Sequence, residues 1–217
     1  MIAWDRVQTV LLDMDGTLLD LHYDNHFWQE HVPQRYAEQH GLALATARRE
    51  LDARYRAVEG TLRWYSVDYW TRELDLDIAL LKREIDHLIQ IHPHVGDFLR
   101  AVRTLGKRLV LVTNAHGKAL ALKFERTGLD VHFDAVVCAH DFGKPKEDIG
   151  FWDGLQRVEP FAPPATVLID DSLPVLRTAR SYGVAQLVAV KRPDSRRAEK
   201  DMAEFPAVTD LGELVPT

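Results

Sequence analysis

Three short runs, Val7 to Leu12, Arg108 to Val112 and Thr166 to Ile169, each end abruptly in a polar cluster. Nearly continuous apolar runs of this length read as strands of a parallel sheet buried on both faces. Ala135 to Cys138 and Gln186 to Val190 are weaker strand candidates. Helical stretches separate them: Val95 to Leu105 before Gly106, Gly117 to Thr127 before Gly128, and Leu173 to Tyr182 before Gly183. Glycine just past a helix is a common stop. Alternating strands and helices predict an α/β fold, a doubly wound, mainly parallel sheet with a Rossmann-like core.

Residues 21–91 differ. They hold no clear strand, and helical patterning covers Phe27 to Gln39, Thr46 to Glu59, Tyr65 to Leu74 and Ile78 to Ile91. This stretch reads as an inserted helical cap, with residues 1–20 and 92–217 forming the core. An insert placed directly after the first strand's loop should sit over the carboxyl ends of the strands, where open α/β sheets bind ligands. It is therefore read as a lid. The aromatic residues Trp28, Trp64, Tyr65, Tyr69 and Trp70 invite a base-stacking role, but their spacing reads rather as the insert's own core. His92-Pro93-His94 lacks further partners at ligand spacing and is read as structural, and the doubly charged run Lys191 to Asp201 as solvated.

With 217 residues, one large domain or a core with an insert is the natural size. A net charge of −6 without a basic stripe argues against nucleic acid as a partner. It also means that an anionic substrate needs a local positive centre. The single cysteine, Cys138, allows no intrachain disulfide and suits a reducing compartment. There is no signal-like N-terminus and no apolar stretch of membrane-spanning length. The expectation is a cytoplasmic protein without a membrane partner, and no protein partner is evident.

The strand ends carry the chemistry. The first runs into Asp13-Met14-Asp15-Gly16-Thr17, and alternate residues of an extended segment face the same side. Asp13 and Asp15 can thus face one pocket, where two bare carboxylates 4 Å apart would repel by roughly 4 kcal/mol at an effective dielectric of 20. The third strand ends in Asp170-Asp171, at the same edge of a parallel sheet. Such convergent carboxylates suit a hard cation, Mg²⁺ over zinc or copper. Asp171 or Ser172 can also cap the next helix. The second strand ends in Thr113-Asn114, a hydroxyl and an amide beside a helix start able to hold an anion. Phe142 to Asp148 adds Lys144 and Lys146.

This set is what phosphoryl transfer requires. A nucleophilic carboxylate, Asp13, would form an aspartyl-phosphate. A second, Asp15, would protonate the leaving oxygen and then assist water. Metal and lysine would offset the charge.

In this order the four segments resemble the haloacid dehalogenase-like hydrolase superfamily, along the whole chain. The resemblance implies Mg²⁺ held by the Asp13 carboxylate, the Asp15 backbone carbonyl and Asp170, with Asp171 close by. It also implies that Thr113, with Asn114 beside it, and a lysine bind the phosphate. Lys144-Pro145 matches the family's usual dipeptide, but the family's aromatic residue falls six positions after the lysine. Counting back from Trp152 selects Lys146.

A closer resemblance, to the bacterial GMP/IMP nucleotidase branch, lies in Val10 to Leu21, Asp24-Asn25 with Phe27-Trp28-Gln29, Trp64-Tyr65 with Asp68-Tyr69-Trp70, Thr113 to His116 and Pro145 to Asp148. It implies a 5′-nucleotidase acting on purine monophosphates. The alternatives are a sugar-phosphate or phosphoglycolate phosphatase of the same fold, and a non-catalytic phosphate-binding regulatory module. A receiver-type module would place its lysine after the acidic pairs and would carry no lid. No Gly-x-Gly-x-x-Gly follows a strand, and no phosphate-binding Gly-x-x-x-x-Gly-Lys-Ser/Thr loop occurs.

Overall fold

The computed structural model describes residues 2–216. Six parallel strands form one sheet in the order β3-β2-β1-β4-β5-β6. They are β1 (Thr9–Leu12), β2 (Arg108–Thr113), β3 (Ala135–Cys138), β4 (Thr166–Asp170), β5 (Gln186–Val190) and β6 (Ala207–Val208). The two-residue β6 has no apolar run long enough to show in the sequence.

Alternate residues along each central strand serve opposite faces. Val10, Leu12, Leu109, Leu111, Val167 and Ile169 belong to one apolar cluster, and Leu11, Val110, Val112 and Leu168 to the other. Both faces are buried, which is why the strands read as continuous rather than alternating runs. Helices α7 (Val95–Thr104), α8 (Gly117–Thr127), α9 (Ile149–Val158) and α10 (Leu173–Tyr182) follow later in the chain. Sequence patterning did not mark α9. Its start is fixed by Asp148, whose carboxylate accepts from the Gly150 N–H at 2.7 Å.

Between β1 and α7 the described chain is mainly helical: α1 (His22–His26), α2 (Val32–His40), α3 (Leu44–Val58), α4 (Leu62–Tyr65), α5 (Val67–Leu74) and α6 (Ile78–Glu84). These helices pack around their own apolar cluster, with Phe27, Leu51, Tyr55 and Trp70 at its centre. The first helix begins at His22, five residues earlier than the periodicity suggests. Asp20 accepts from the His22 N–H at 3.0 Å and holds that start. A π-helical turn, Phe27–His31, joins α1 to α2. Pro33 lies at the start of α2, and a proline ring neither donates nor tolerates the carbonyl four residues back.

The register places the chemistry. Leu12 pairs with Leu111 on one side and Ile169 on the other. The next residue, Asp13, therefore emerges beside Asp170, and its N–H donates to the Ile169 carbonyl at 3.1 Å. The chain builds β2 and β3 on one side of β1 and β4 to β6 on the other, so the strand order reverses at β1. Ligand crevices of open α/β sheets form at such reversal points.

Candidate active site

Asp13, Asp15, Thr113, Asn114, Lys146, Asp170 and Asp171 all line one cavity of about 420 Å³ at the carboxyl edge of the sheet. The structure thus brings these seven residues to the same place.

Lys146 is the hub. Its ammonium is buried and donates to Asp13 Oδ1 at 2.5 Å, Asp170 Oδ2 at 2.7 Å and the Val112 carbonyl at 3.2 Å. Its backbone is fixed as well. The Lys146 N–H donates to Asn114 Oδ1 at 2.8 Å, and its carbonyl accepts from Trp152 Nε1 at 2.9 Å. The six-residue interval between Lys146 and Trp152 therefore has a physical cause: one helical approach brings the buried indole back onto the lysine's own carbonyl. Lys144, by contrast, is exposed and pairs with Asp148 at 3.0 Å. Asn114 also donates through Nδ2 to Glu147 at 2.9 Å, so its amide clamps the Lys146 segment to the end of β2. Thr113 is buried, and its hydroxyl accepts from the Ala115 N–H at 3.0 Å.

Ligand oxygens of Asp13, Asp170 and Asp171 lie within 4.8 Å of one another. Burial, against the opposing pull of Lys146, pushes the Asp13 carboxyl up to about 7 and Asp170 up to about 6. Burial and then the charge of Asp13 raise Asp171 to about 6. Lys146 itself is held above its ordinary value: burial works against its charge, but Asp13 and Asp170 outweigh it. Lys200 reaches Asp171 at 3.1 Å from a half-exposed position. Three clustered carboxylates against one buried lysine leave an excess of negative oxygen, which is the donor set of a hard divalent cation. Asp170 Oδ1 also accepts from the Ser172 N–H at 2.9 Å, whereas the Ser172 side chain makes no cap bond to α10.

Gly16 is required at its place. Its φ is +94°, and a Cβ there would stand 2.8 Å from Asp171 Cγ and 2.8 Å from Pro193 Cβ. The Asp-Gly step turns the chain away from β1 while letting Asp171 approach the backbone.

Asp15 is paired with a lysine other than Lys146. Lys123, buried on α8, donates to Asp15 Oδ1 and to Asp24 Oδ2, each at 2.7 Å. Lys82, buried on α6, donates to the second Asp24 oxygen at 3.0 Å and lies 4.2 Å from the Phe27 ring centroid. Burial raises Asp15 despite Lys123. Burial would raise Asp24 too, but Lys123 and Lys82 outweigh it and hold it well below the usual carboxylate range. Sequence reasoning missed this chain of charges. A signal was present: Lys123 falls on the apolar stripe of α8 with Ala119, Leu120 and Leu122, where an unpaired ammonium would be costly.

Asp15 also borders a second cavity, of about 500 Å³, with Leu21, Tyr65 and Ala115 common to both. Of the aromatic residues read as core, Trp70 is fully buried. Trp28 and Trp64 pack against the apolar cluster that includes Trp70 and, with Tyr65, also line this second cavity; Tyr65 donates to Glu147 at 2.8 Å. Neither His92 nor His94 joins a metal-ligand cluster among the described residues; His92 donates to the Pro193 carbonyl at 3.1 Å. The run from Lys191 to Asp201 is not wholly solvated, because Asp194 is buried and accepts from Asn25 Nδ2 at 2.7 Å.

The family model for haloacid dehalogenase-like hydrolases matches residues 7–183, which include every residue of this cluster. The chain belongs to the haloacid dehalogenase-like hydrolases. Within that family it is 40% identical over 216 residues to the GMP/IMP nucleotidase YrfG of Escherichia coli K12, covering 100% of this chain and 97% of that protein. The same figures hold for the Shigella flexneri protein of that name. A HAD phosphatase from Thermococcus onnurineus superposes with a TM-score of 0.79 at 23% identity, covering 96% of each chain. L-2-haloacid dehalogenase from Xanthobacter autotrophicus superposes with a TM-score of 0.66 at 17% identity, again over 96% of each chain. These two likenesses concern the fold of haloacid dehalogenase-like hydrolases alone. No helix among the described residues is long and apolar enough to cross a membrane.

Proposed function

We propose that this hydrolase is a Mg²⁺-dependent 5′-nucleotidase that releases phosphate from purine monophosphates, GMP and IMP, through an aspartyl-phosphate on Asp13. The observation that carries the reading is the 40% identity to a GMP/IMP nucleotidase along the full length of both chains. The domain division expected from the sequence is kept, with residues 1–20 and 92–217 as catalytic core and 21–91 as cap.

Asp13 attacks phosphorus, and the bond from phosphorus to the 5′-oxygen breaks. Asp15, the second carboxyl at the cavity edge, gives its proton to that oxygen, and the nucleoside leaves. Asp15 then takes a proton from water as the water attacks the phosphorus of the aspartyl-phosphate. Inorganic phosphate departs and Asp13 is restored. Lys146, Thr113 and Asn114 bind phosphate oxygens and orient the group for in-line attack. The Asp13, Asp170 and Asp171 carboxylates and the Asp15 backbone carbonyl would hold Mg²⁺. When bound, the ion supplies positive charge that offsets repulsion between nucleophile and phosphate. Loss of a halide needs no proton donor, so the acid at Asp15 argues for an oxygen leaving group rather than dehalogenation.

Phosphate release from a panel of phosphomonoesters tests this, with Mg²⁺ and with EDTA. Selective, metal-dependent cleavage of GMP and IMP is expected. Preference for sugar phosphates or phosphoglycolate would retain the mechanism and discard the nucleotidase assignment.

A further inference from the structure

The second cavity, lined by Asp15 but not by Asp13, offers about 500 Å³, within the range that small-molecule sites occupy. A phosphate alone needs none of it. One part of its lining is aromatic. Tyr55 stands edge-on to Trp28, at 5.7 Å and 79°, and to Trp64, at 5.7 Å and 88°. Rings so placed form a stiff, flat-sided surface for a planar ligand.

Another part is polar and comes from α3. Asp52 and Arg56 line the cavity one turn apart on the helix, and Glu59 lines it from the cap position just past the helix end. All three are exposed, and none of their side chains makes a hydrogen bond or ion pair among the described residues. The other arginines of the same helix are engaged: Arg48 with Glu30, Arg49 with Thr46, and Arg54 with Glu73. Arg56 faces the cavity with its donors unspent.

We infer that Arg56, with the carboxylates flanking it, selects a 6-oxopurine base in this cavity, an assignment that rests on the nucleotidase reading above. Hypoxanthine and guanine share O6 and N7 acceptors on one edge and an N1–H donor beside them. A guanidinium matches the O6/N7 pair with two parallel donors, as it does when reading guanine in DNA. A carboxylate one turn away accepts from N1–H, and from the 2-amino group of guanine. Adenine reverses both positions. Its 6-amino group would meet the guanidinium donor to donor, and its N1 lone pair would meet the carboxylate. A mismatched base thus forgoes the paired hydrogen bonds that the matched base makes with these side chains. One residue set thus accepts IMP and GMP alike and disfavours AMP. The aromatic surface supplies base-independent affinity, and the polar side chains supply the choice.

The test is kcat/KM for GMP, IMP, AMP and the base-free ester p-nitrophenyl phosphate, in wild type and in Arg56→Met, Asp52→Asn and Glu59→Gln. Arg56→Met should lower kcat/KM for GMP and IMP about ten- to a hundredfold, with AMP and p-nitrophenyl phosphate changed by less than about twofold. At least one carboxylate variant should show the same base-selective loss. An unchanged GMP-to-AMP ratio in Arg56→Met would overturn the inference, and so would an equal loss on p-nitrophenyl phosphate. A wild type that cleaves p-nitrophenyl phosphate but neither GMP nor IMP would instead remove the nucleotidase reading, and this assignment with it.

Discussion

The Lys123 ammonium lies 2.7 Å from the Asp15 carboxylate, and the same ammonium reaches Asp24 at 2.7 Å. One core lysine thus ties the proposed acid, at the end of β1, to the first helix of the proposed cap. Lys123→Met would leave Asp15 and Asp24 facing each other without their shared cation. Breaking a buried pair in this way costs about 3–5 kcal/mol. The urea midpoint should fall accordingly, and turnover should fall with it because Asp15 loses its orientation. An unchanged midpoint would show that the network contributes nothing to stability.

Asp24 gives that network a pH signature. Its carboxyl titrates near 3.9 in an unfolded chain and lower in the fold, where Lys123 and Lys82 outweigh the effect of burial. A depressed folded value stabilises the protein fully above the unfolded value, and the gain is lost as pH falls towards the folded one. The stability difference between wild type and Asp24→Asn should therefore be constant from pH 7 to about pH 5 and shrink below about pH 4. A difference that grows on acidification would contradict the charge assignment.

Gly16 tests the turn beneath the acidic cluster. Gly16→Ala puts a methyl group 2.8 Å from Asp171 Cγ at a φ of +94°. Strain of this kind costs about 1–3 kcal/mol. The variant should melt lower and need more Mg²⁺ for half-maximal activity, because Asp171 must move. Wild-type values in both measurements would mean that the loop absorbs the methyl group freely.

Lys144→Ala and Lys146→Ala should separate cleanly. Lys144 holds only an exposed pair with Asp148, four residues on in the loop before α9. Its loss should change stability by less than about 1 kcal/mol and leave turnover near wild type. Lys146 is buried against Asp13 and Asp170, and its removal should reduce kcat by orders of magnitude. A larger defect in Lys144→Ala would reverse the assignment.

Much of this arrangement was legible in the sequence, for a specific reason. Strands buried on both faces read as apolar runs, and a parallel sheet puts their ends at one edge, so Asp13, Thr113 and Asp170 could be gathered before any geometry was known. The preference for Lys146 over Lys144 came from the resembled family's six-residue interval to an aromatic residue, and the Trp152 indole donates to the Lys146 carbonyl across that interval. Other features depended on contacts far apart in sequence. Lys123 and Asp24 are 99 residues apart, and no local pattern pairs them. Asp194 lies in a run of charges that looks solvated, yet it is buried and accepts from Asn25, 169 residues away. Trp28 and Trp64 keep the spacing of core aromatics while also lining a cavity, because a partly buried ring can do both.

The most direct measurement is phosphate release from GMP and IMP by wild type and Asp13→Asn, each with Mg²⁺ and with EDTA. An amide in place of the nucleophilic carboxylate keeps the size of the side chain and removes its attack on phosphorus. Metal-dependent release by wild type, abolished in Asp13→Asn with the fold unchanged by circular dichroism, is the predicted result. Release by Asp13→Asn at a rate near that of wild type would contradict an aspartyl-phosphate on Asp13.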